Sequence, residues 1–364
     1  MSLNITRPVV IINGKPIKYN TISYKKTSIN TISQLSVSTS DINLKISDLN
    51  RKEIKFFLNK GGGKDNIPFF RGYVTSVKPS TKGVNIEALD CLQFLTGEFS
   101  QQVSVNDINN FDGMTLGQFL HHYVVNYVNV DTTLIGVDLL NDTNPPKSLS
   151  GYRNKEYISA MKIIKDNPVL DSSKVWDNDS SDSTSLPWFI DVVDDGVKSN
   201  LVFKKLQSRT TDEIKQAVPF SMKDGIASFT AKELQPINTV VITNSNTGSR
   251  TTLKTHEHKS ILSSTQYKSE LESPDEARKE AHLIINNSRN NSKEIKISTT
   301  KGHYLEVGTF IHIKEKSEPS INGYHNIIGK ELKISNNSIT CNFSLDKPKP
   351  ILSDYLNVGN SIYH

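Results

Sequence analysis

Cysteine is scarce in this sequence, because its 364 residues include only two, Cys91 and Cys341. Both lie in apolar, strand-like stretches, and the sequence has no Cys-x-x-Cys motif and no Cys/His spacing typical of zinc ligands. This usage argues against a disulfide framework and against a structural zinc site. We expect two buried thiols in a reducing compartment.

Long hydrophobic runs are missing as well. Hydrophobic residues make up 35% of the chain, and the mean hydropathy is −0.42. A membrane-spanning helix needs about 20 consecutive apolar residues, and the N-terminal MSLNITRPVV lacks the layout of a signal peptide. We expect a soluble protein made in the cytoplasm. Its sparse apolar residues favour thin cores between alternating strands over a thick doubly wound α/β core.

Net charge is small, since 43 basic residues face 38 acidic ones and give a formal charge of +5. No long basic run stands out along the chain. Electrostatic binding of nucleic acid needs a clustered basic patch, although such a patch can also assemble in three dimensions. The sequence therefore predicts a mixed surface.

Motifs for catalysis and phosphate binding are absent too. The sequence has no Gly-x-Ser-x-Gly elbow, and the glycine-rich stretch 60–64 lacks the Gly-Lys-Ser/Thr ending of a phosphate loop. The oxygen-rich stretch 177–182 has neither the glycine nor the glutamate that an EF-hand loop needs at its sixth and twelfth positions. We predict no enzyme and no catalytic residue.

Two pairs of histidines have the residue type and spacing of candidate metal ligands. His256 and His258 would share one face of a strand, but the sequence places no third ligand beside them. The side chains of His121 and His122 point about 100° apart on a predicted helix, with His121 towards solvent. We therefore predict no metal site and no cofactor.

Most of the chain has the patterns of β-strands. Residues 9–12 run into Asn13-Gly14, a two-residue hairpin signal, and Leu35, Val37 and Thr39 alternate with polar residues as one buried face. A loop is predicted at the glycines of 59–63, and a helical turn at 91–95. Further strands are predicted at 54–58, 69–77, 84–90, 188–193, 201–204, 239–242, 294–298, 309–313, 324–333 and 338–344.

Three helices are predicted between these strands. Residues 115–128 carry an apolar stripe of helical spacing, and Thr115 with Gln118 forms a capping box. A second helix is expected over 155–165. A third begins at Ser273-Pro274-Asp275-Glu276, where serine caps and proline fits the first helical position. Its buried stripe comprises Ala277, Ala281, Ile284 and Ile285.

Two stretches of the chain resemble each other. Residues 49–58 are similar to 305–314, and each stretch precedes a Gly-Tyr pair, Gly72-Tyr73 or Gly323-Tyr324. Each Gly-Tyr pair opens a strand, and the next strand along the chain ends at a Leu-Asp pair, Leu89-Asp90 or Leu345-Asp346. The identities are few, so two explanations stay open: chance similarity between hairpins, or a duplicated barrel with a helical region inserted between its copies.

The motifs around the first Gly-Tyr pair resemble a known family. Phe70-Arg71-Gly72-Tyr73-Val74, followed by 84–95, is similar to the stretch F-x-G-x-V … x-I-x-A-x-D-x-L-x-x-L of the baseplate hub family of phage-type tails (myophage hub, or late control protein D-like). The helix 277–285 and the strands after it, up to Gly323-Tyr324, resemble the C-terminal module of that family. The polar stretch 171–185, which we expect to be a mobile loop, matches nothing in the family.

The resemblance implies a β-dominated α+β fold with two tube-protein-like antiparallel β-barrels and an α+β insertion between them. The boundaries would be 1–105 for the first barrel, 106–235 for the insertion, 236–346 for the second barrel and 347–364 for a C-terminal tail. The hairpins of the two barrels would be marked by Gly72, Tyr73, Asp90, Gly323 and Tyr324.

The resemblance also implies a structural role in the virion tail baseplate or in a tail-derived contractile injection particle. Three subunits would form a ring between the six-fold tail tube and the three-fold central spike. The expected partners are two further copies of the chain, the tail tube ring, the spike protein and a tape-measure protein, with DNA only as cargo through the bore. The alternatives are a β-rich adaptor or receptor-binding tail protein and, less favoured, a tail-associated cell-wall hydrolase.

Overall fold

The structure of the protein is a computed structural model. The model describes residues 8–41, 44, 46–58, 67–81, 83–96, 103–104, 114–128, 135–137, 157–161, 188–205, 215–221, 226–233, 237–243, 247–254, 263–267, 293–300, 302–315, 321–335 and 338–346, together with helical residues 274, 275, 277, 278, 281, 282 and 285.

The N-terminal part is built from seven strands in the described residues, and the hairpin predicted at Asn13-Gly14 is confirmed there. The two-residue turn of Asn13 and Gly14 joins the first two strands. Alternation buries Leu35, Val37 and Thr39 on one face, as expected from the period of a strand. The strands are β1 (Val9–Ile12), β2 (Lys15–Ile17), β3 (Thr21–Lys26), β4 (Gln34–Thr39), β5 (Glu53–Phe57), β6 (Phe70–Ser80) and β7 (Gly83–Asp90).

Short helical elements border these strands. The helix α1 (Ile46–Leu49) precedes β5, and a 3₁₀ helix (Cys91–Leu95) follows β7, as the sequence predicted. The side chain of Asp90 caps that 3₁₀ helix by accepting the Leu92 N–H at 3.0 Å. Both cysteines, Cys91 and Cys341, are buried free thiols, which confirms their predicted burial.

The middle of the chain holds the predicted helix and several short strands. The helix α2 (Leu116–Tyr127) has the predicted capping box of Thr115 and Gln118. The helix expected over 155–165 is wrong at its start, because Tyr157–Ile158 pair as a strand with Val103–Ser104. The strands are β8 (Val103–Ser104), β9 (Ile135–Val137), β10 (Tyr157–Ile158), β11 (Trp188–Asp194), β12 (Ser199–Lys205), β13 (Val218–Phe220) and β14 (Ile226–Glu233).

The C-terminal part again consists mainly of strands. A small sheet has β15 at its centre, and Ala277, Ala281 and Ile285 of the predicted third helix pack with Val240 and Ile242 of that strand. The strands are β15 (Thr239–Thr243), β16 (Arg250–Lys254), β17 (Ser263–Tyr267), β18 (Lys293–Thr299), β19 (Phe310–Ile313), β20 (Gly323–Ser335) and β21 (Ser338–Leu345); a 3₁₀ helix covers Gly302–Tyr304.

One 13-stranded sheet joins the two ends of the chain. Its path runs β14-β18-β21-β20-β3-β4-β7-β6-β5-β1-β2, and β19 and β13 branch from β20. The path is open, so the strand pairing of the described residues forms no closed barrel. The fold is therefore β-dominated, with a large antiparallel sheet. Although β13 and β14 precede residue 236, they pair with strands of the C-terminal part.

The same strand order occurs twice in this sheet. The first copy reads β3-β4-β7-β6-β5-β1, and the second reads β14-β18-β21-β20-β19-β13. The last strand differs in direction, because β1 is antiparallel to β5 whereas β13 is parallel to β19. The copies meet where Thr21–Lys26 of β3 pair with Lys330–Ser335 of β20; we call this pairing the internal seam.

The buried apolar residues of the described ranges form three clusters. The largest lies under both copies of the strand order and includes Leu35, Ile54, Ile297 and Phe343. The second packs α2 and the 3₁₀ helix Cys91–Leu95 against β11 and β12. The third is the small cluster between β15 and the helical residues Ala277, Ala281 and Ile285. The described helices include none that is long and apolar enough to cross a membrane.

Candidate functional site

The hairpin of β11 and β12 connects the middle of the chain to the large sheet. Phe189 of β11 is buried in the largest apolar cluster, whereas the adjacent Ile190 is buried in the second cluster. The side-chain oxygen of Asn30 accepts the Ile190 N–H at 2.8 Å. Because successive strand residues point to opposite faces, one strand can join two cores in this way.

Gly308 provides the space for Phe189. A Cβ at position 308 would lie 2.6 Å from Cζ of Phe189, which is closer than side chains pack. Its φ of +90° is also one that residues with a side chain rarely adopt. The glycine is therefore required both by backbone conformation and by contact with the inserted hairpin.

A buried ionic cluster fixes the same hairpin to β3. Asp191 accepts from Nζ of Lys26 at 2.6 Å with one oxygen and from Nζ of Lys204 at 2.6 Å with the other. The Lys26 side chain is only 3% exposed. Burial alone would raise the pKa of Asp191, but the charges of Lys26 and Lys204 outweigh burial and hold that pKa below its ordinary value. The same ion pair raises the pKa of Lys26 against the effect of its own burial.

Arg71 of β6 makes a second set of contacts to the hairpin. Its Nε lies 2.7 Å from a carboxylate oxygen of Asp194, and its terminal nitrogens donate to the backbone carbonyls of Gly196 and Val197. Glu53 lies 3.5 Å from the same guanidinium. The planar, multiply donating guanidinium suits a site where several acceptors converge.

Lys330 of β20 is buried, and none of the described carboxylates lies within ion-pair distance of it. Its Nζ donates to the backbone carbonyls of His303 at 2.8 Å and Leu305 at 2.7 Å, and it lies 4.5 Å from the ring centroid of Phe69. Burial lowers the pKa of Lys330. This side chain thus holds the 3₁₀ helix Gly302–Tyr304 against the internal seam.

The buried contacts of Lys26, Arg71, Asp191 and Lys330 together form what we call the ionic junction, and Asp90 is the one residue of the predicted hairpin set that lies within it. Its carboxylate accepts the backbone N–H groups of Ser33 at 2.8 Å and Leu92 at 3.0 Å. Burial raises its pKa to about 6, although Lys26 and these hydrogen bonds act in the opposite direction. Asp346, at the end of β21, likewise accepts the Asn326 N–H at 2.7 Å and the Asn326 side-chain amide at 2.9 Å.

The other predicted hairpin residues lie in strands outside the ionic contacts. Gly72 faces Ile54 and Asp90 in neighbouring strands, and a Cβ there would lie 2.2 Å from the Leu89 carbonyl oxygen. The Tyr73 ring packs edge-on against Phe94 at 5.0 Å. Gly323 begins β20 opposite Ile313, and Tyr324 stacks on His312 at 4.2 Å.

The backbone hydrogen bonds define which residues of the two hairpins are equivalent. Val74 accepts from the Arg51 N–H and donates to the Lys52 carbonyl, and Ile327 bonds in the same way to Gly308 and Thr309. A bulge follows each of these residues, at Val74/Ser76 and at Ile327/Gly329. In this alignment Gly72 corresponds to His325, so Gly323-Tyr324 lie two residues earlier in their strand.

The other residues and stretches singled out in the sequence lie partly inside and partly outside the described ranges. His121 is exposed on α2, as expected, and His122 contacts Asn126 of the same helix. No cluster of three or more metal-ligating side chains occurs within the described ranges. The stretches 60–64, 171–185, 256–258 and 347–364, together with Ser273, Glu276 and Ile284, lie outside the described residues.

These contacts surround a cavity of about 170 Å³ whose lining includes Lys26, Arg71, Asp90, Asp191 and Lys330. Most of these charges are saturated by one another or by backbone groups, which suits a rigid junction between three parts of the chain better than proton transfer. The alternation of β3 indicates one member of this junction, because it places Lys26 on the same buried face as Ile22 and Tyr24.

Comparison with solved structures shows a shared fold over nearly the whole chain. A tail protein from Neisseria meningitidis gives a TM-score of 0.58 at 11% identity, over 93% of this chain and 96% of that chain. The chain has the fold of phage-type tail proteins. A 43 kDa tail protein of prophage MuSo2 from Shewanella oneidensis gives a TM-score of 0.54 at 12% identity, over 94% of this chain and 98% of that chain.

A third similar structure comes from a secretion system. It is an Escherichia coli protein described as a component of the type VI secretion system with structural similarity to the T4 tail proteins gp27 and gp5. Its TM-score is 0.53 at 11% identity, over 94% of this chain and 77% of that chain. No protein-family model matches this chain, and no curated protein matches it in sequence.

Proposed function

We propose that this protein is a structural baseplate hub subunit of a phage tail or of a tail-derived contractile injection system. The observation that carries the proposal is the repeated strand order within one chain, joined by the internal seam. A chain with two copies of one ring-forming module gives six copies in a trimer. Such a trimer can match a six-fold tube on one side and a three-fold spike on the other.

The two modules are proposed to act as tube-like barrels, with the middle of the chain inserted between them. The first comprises β1 to β7, within the expected 1–105, and the second takes β13 and β14 in addition to strands of 236–346. The ionic junction around Lys26 and Asp191 supports this arrangement, because it fixes the inserted hairpin against both modules. A ring subunit under load during injection requires such a rigid connection.

The proposed role is passive and non-enzymatic. The similar solved proteins are described as tail and secretion-system components, which supports a place in the tail baseplate. Partners would be two further copies of the chain, the tail tube ring and the central spike, with cargo passing through the bore. No cofactor is proposed.

Native mass spectrometry and negative-stain microscopy of the purified chain test the proposal. We expect a trimer whose end view is a ring with six lobes and three-fold symmetry. A compact monomer at the highest soluble concentration, with no ring in any view, would overturn the hub assignment. An assay of cell-wall lysis on the same sample is expected to show no activity above buffer.

A further inference from the structure

The strand pairing aligns the two modules residue by residue. The equivalence of Val74 with Ile327 makes their partners, Ala88 and Leu345, equivalent as well. The next strands then align Leu35 with Ile295. In the same way the module edges align, so that β14 corresponds to β3 and the second half of β6 corresponds to the second half of β20.

Within the chain, one of these edge pairs is joined and the other is open. The second half of β20 pairs with β3 in the internal seam. Among the described residues, β14 has only β18 as a neighbour, and Ser76–Ser80 of β6 pair only with β7. One chain therefore carries a second copy of each edge that forms the internal seam.

Along each of these open edges, alternate residues direct their backbone N–H and carbonyl groups away from the sheet. The tight turn between Ser80 and Gly83 makes these two residues a hydrogen-bonded pair, so that Val77 and Pro79 direct their backbone groups away from β7. Counting the same alternation from the turn between Ser335 and Ser338 directs the backbone groups of Phe229 and Ala231 away from β18. Both edges can thus take another antiparallel strand.

We propose that β14 of one subunit adds to the second half of β6 of the next subunit and so closes the trimeric ring. The alignment gives the register, with Ala231 opposite Pro79 and Thr230 opposite Ser80, as Tyr24 lies opposite Leu332 and Ser23 opposite Lys333 in the internal seam. The partner of this edge is a second copy of the same chain. This inference rests on the proposed trimeric hub.

The seam between subunits is weaker than the internal seam. Pro79 has no N–H, so the β6 edge offers the N–H and carbonyl of Val77 but only the carbonyl of Pro79. A proline on an exposed edge also limits pairing with unrelated strands. The ring therefore closes because the same weak strand pairing forms three times in the correct register, and not because any single contact is strong.

A cysteine pair at opposed positions tests this seam. Residues directly opposite in a non-hydrogen-bonded pair have Cα atoms about 4.5 Å apart, within the range that a disulfide bridges. Ser80 and Thr230 are exposed, so the substitutions S80C and T230C leave the cores intact. Mild oxidation of the S80C/T230C double variant is expected to give covalent dimers and trimers on non-reducing gels. The same band pattern is expected to be absent for the wild type, whose two cysteines are buried.

Matched variants define the register. S80C/S228C places the second cysteine two residues away on the same exposed face, where the Cα separation rises to about 7–8 Å, and we expect at least tenfold less linkage. A mixture of the single variants S80C and T230C should give dimers only, since each chain then has one reactive thiol. S23C/K333C should form the equivalent bond within one chain, across the internal seam.

The possible outcomes distinguish failure of the proposed seam from failure of the proposed hub function. A trimer by native mass that gives no S80C/T230C linkage, while S23C/K333C links, would overturn the seam and leave the hub standing. Equal linkage by S80C/S228C would overturn the proposed register. A wild-type chain that forms no trimer would overturn the hub assignment, and the seam with it.

Discussion

Lys26 and Lys330 lie directly opposite each other in the internal seam, and both are 3% exposed. Two buried like charges in facing positions are tolerated because each ammonium has its own acceptors. Lys26 binds the Asp191 carboxylate, and Lys330 binds two backbone carbonyls. The contact between the two modules thus depends on groups from elsewhere in the chain.

Replacing Asp191 by asparagine is expected to lower the free energy of unfolding by about 3–5 kcal/mol, because Lys26 is left buried without a counter-charge. Denaturant unfolding followed by circular dichroism measures the change. Lys204→Gln provides the control, since Lys204 is 38% exposed, and its loss should cost less than about 1 kcal/mol. Equal effects of the two substitutions would contradict the importance of the Lys26 ion pair.

Lys330→Met should destabilise the fold by about 1–3 kcal/mol. Methionine fills the volume of the buried stem, but the carbonyls of His303 and Leu305 lose their donor. The neighbouring Lys333→Met is the comparison, because Lys333 is exposed and should change stability by less than about 0.5 kcal/mol. Thermal unfolding of both variants distinguishes them; an unchanged K330M protein would mean that the two hydrogen bonds contribute nothing.

Asp90→Asn should change how stability depends on pH. Burial raises the pKa of Asp90 in the folded chain to about 6, above the ordinary value of 3.8. As the pH falls, the folded chain therefore binds a proton at Asp90 at a higher pH than the unfolded chain does. The stabilisation from this proton is complete below about pH 4 and is lost as the pH rises through 6. Relative to D90N, the wild-type chain should gain roughly 2 kcal/mol between pH 7 and pH 4.

Urea unfolding at intervals of one pH unit tests this prediction. D90N also loses one acceptor for a backbone N–H, but that loss is independent of pH and shifts the whole curve. The difference between the two curves is therefore the readout. Parallel curves would show that Asp90 does not titrate in this range.

Gly308→Ala should lower stability by about 1–3 kcal/mol, since the new Cβ meets Phe189 in a backbone conformation unfavourable for alanine. Phe189→Leu in the same chain should recover part of this loss by removing the ring. A double-mutant cycle with thermal unfolding measures the coupling. Strict additivity of the two substitutions would contradict the direct contact between Gly308 and Phe189.

The sequence was informative wherever local pattern decides structure. Alternation identified the buried face of β4, and the capping box identified the start of α2. The similarity of 49–58 to 305–314 located two equivalent strands but placed Ile54 against Phe310. Hydrogen bonding in the structure aligns Glu53 with Phe310 instead. Residue letters alone do not reveal bulges, which set the register.

The ionic junction was harder to predict for a different reason. Lys26 and Asp191 are separated by 165 positions in the chain, and only the three-dimensional arrangement brings them together. The alternation of β3 places Lys26 on the buried face, but it does not reveal which acid contacts it. The strand at Tyr157–Ile158 was also missed, because its partner Val103–Ser104 is distant in sequence and pairing overrides a weak helical pattern.

The internal seam has a consequence for synthesis of the chain. β3 is made long before its partner in β20, which emerges from the ribosome only after about three hundred further residues. Until then the edge of β3 is available to other nascent chains, and pairing over such a separation is slow. Shortened translation products would therefore keep this edge open and be prone to aggregate. Only a chain translated through β20 can hide it, so the seam restricts assembly to copies that contain both β3 and β20.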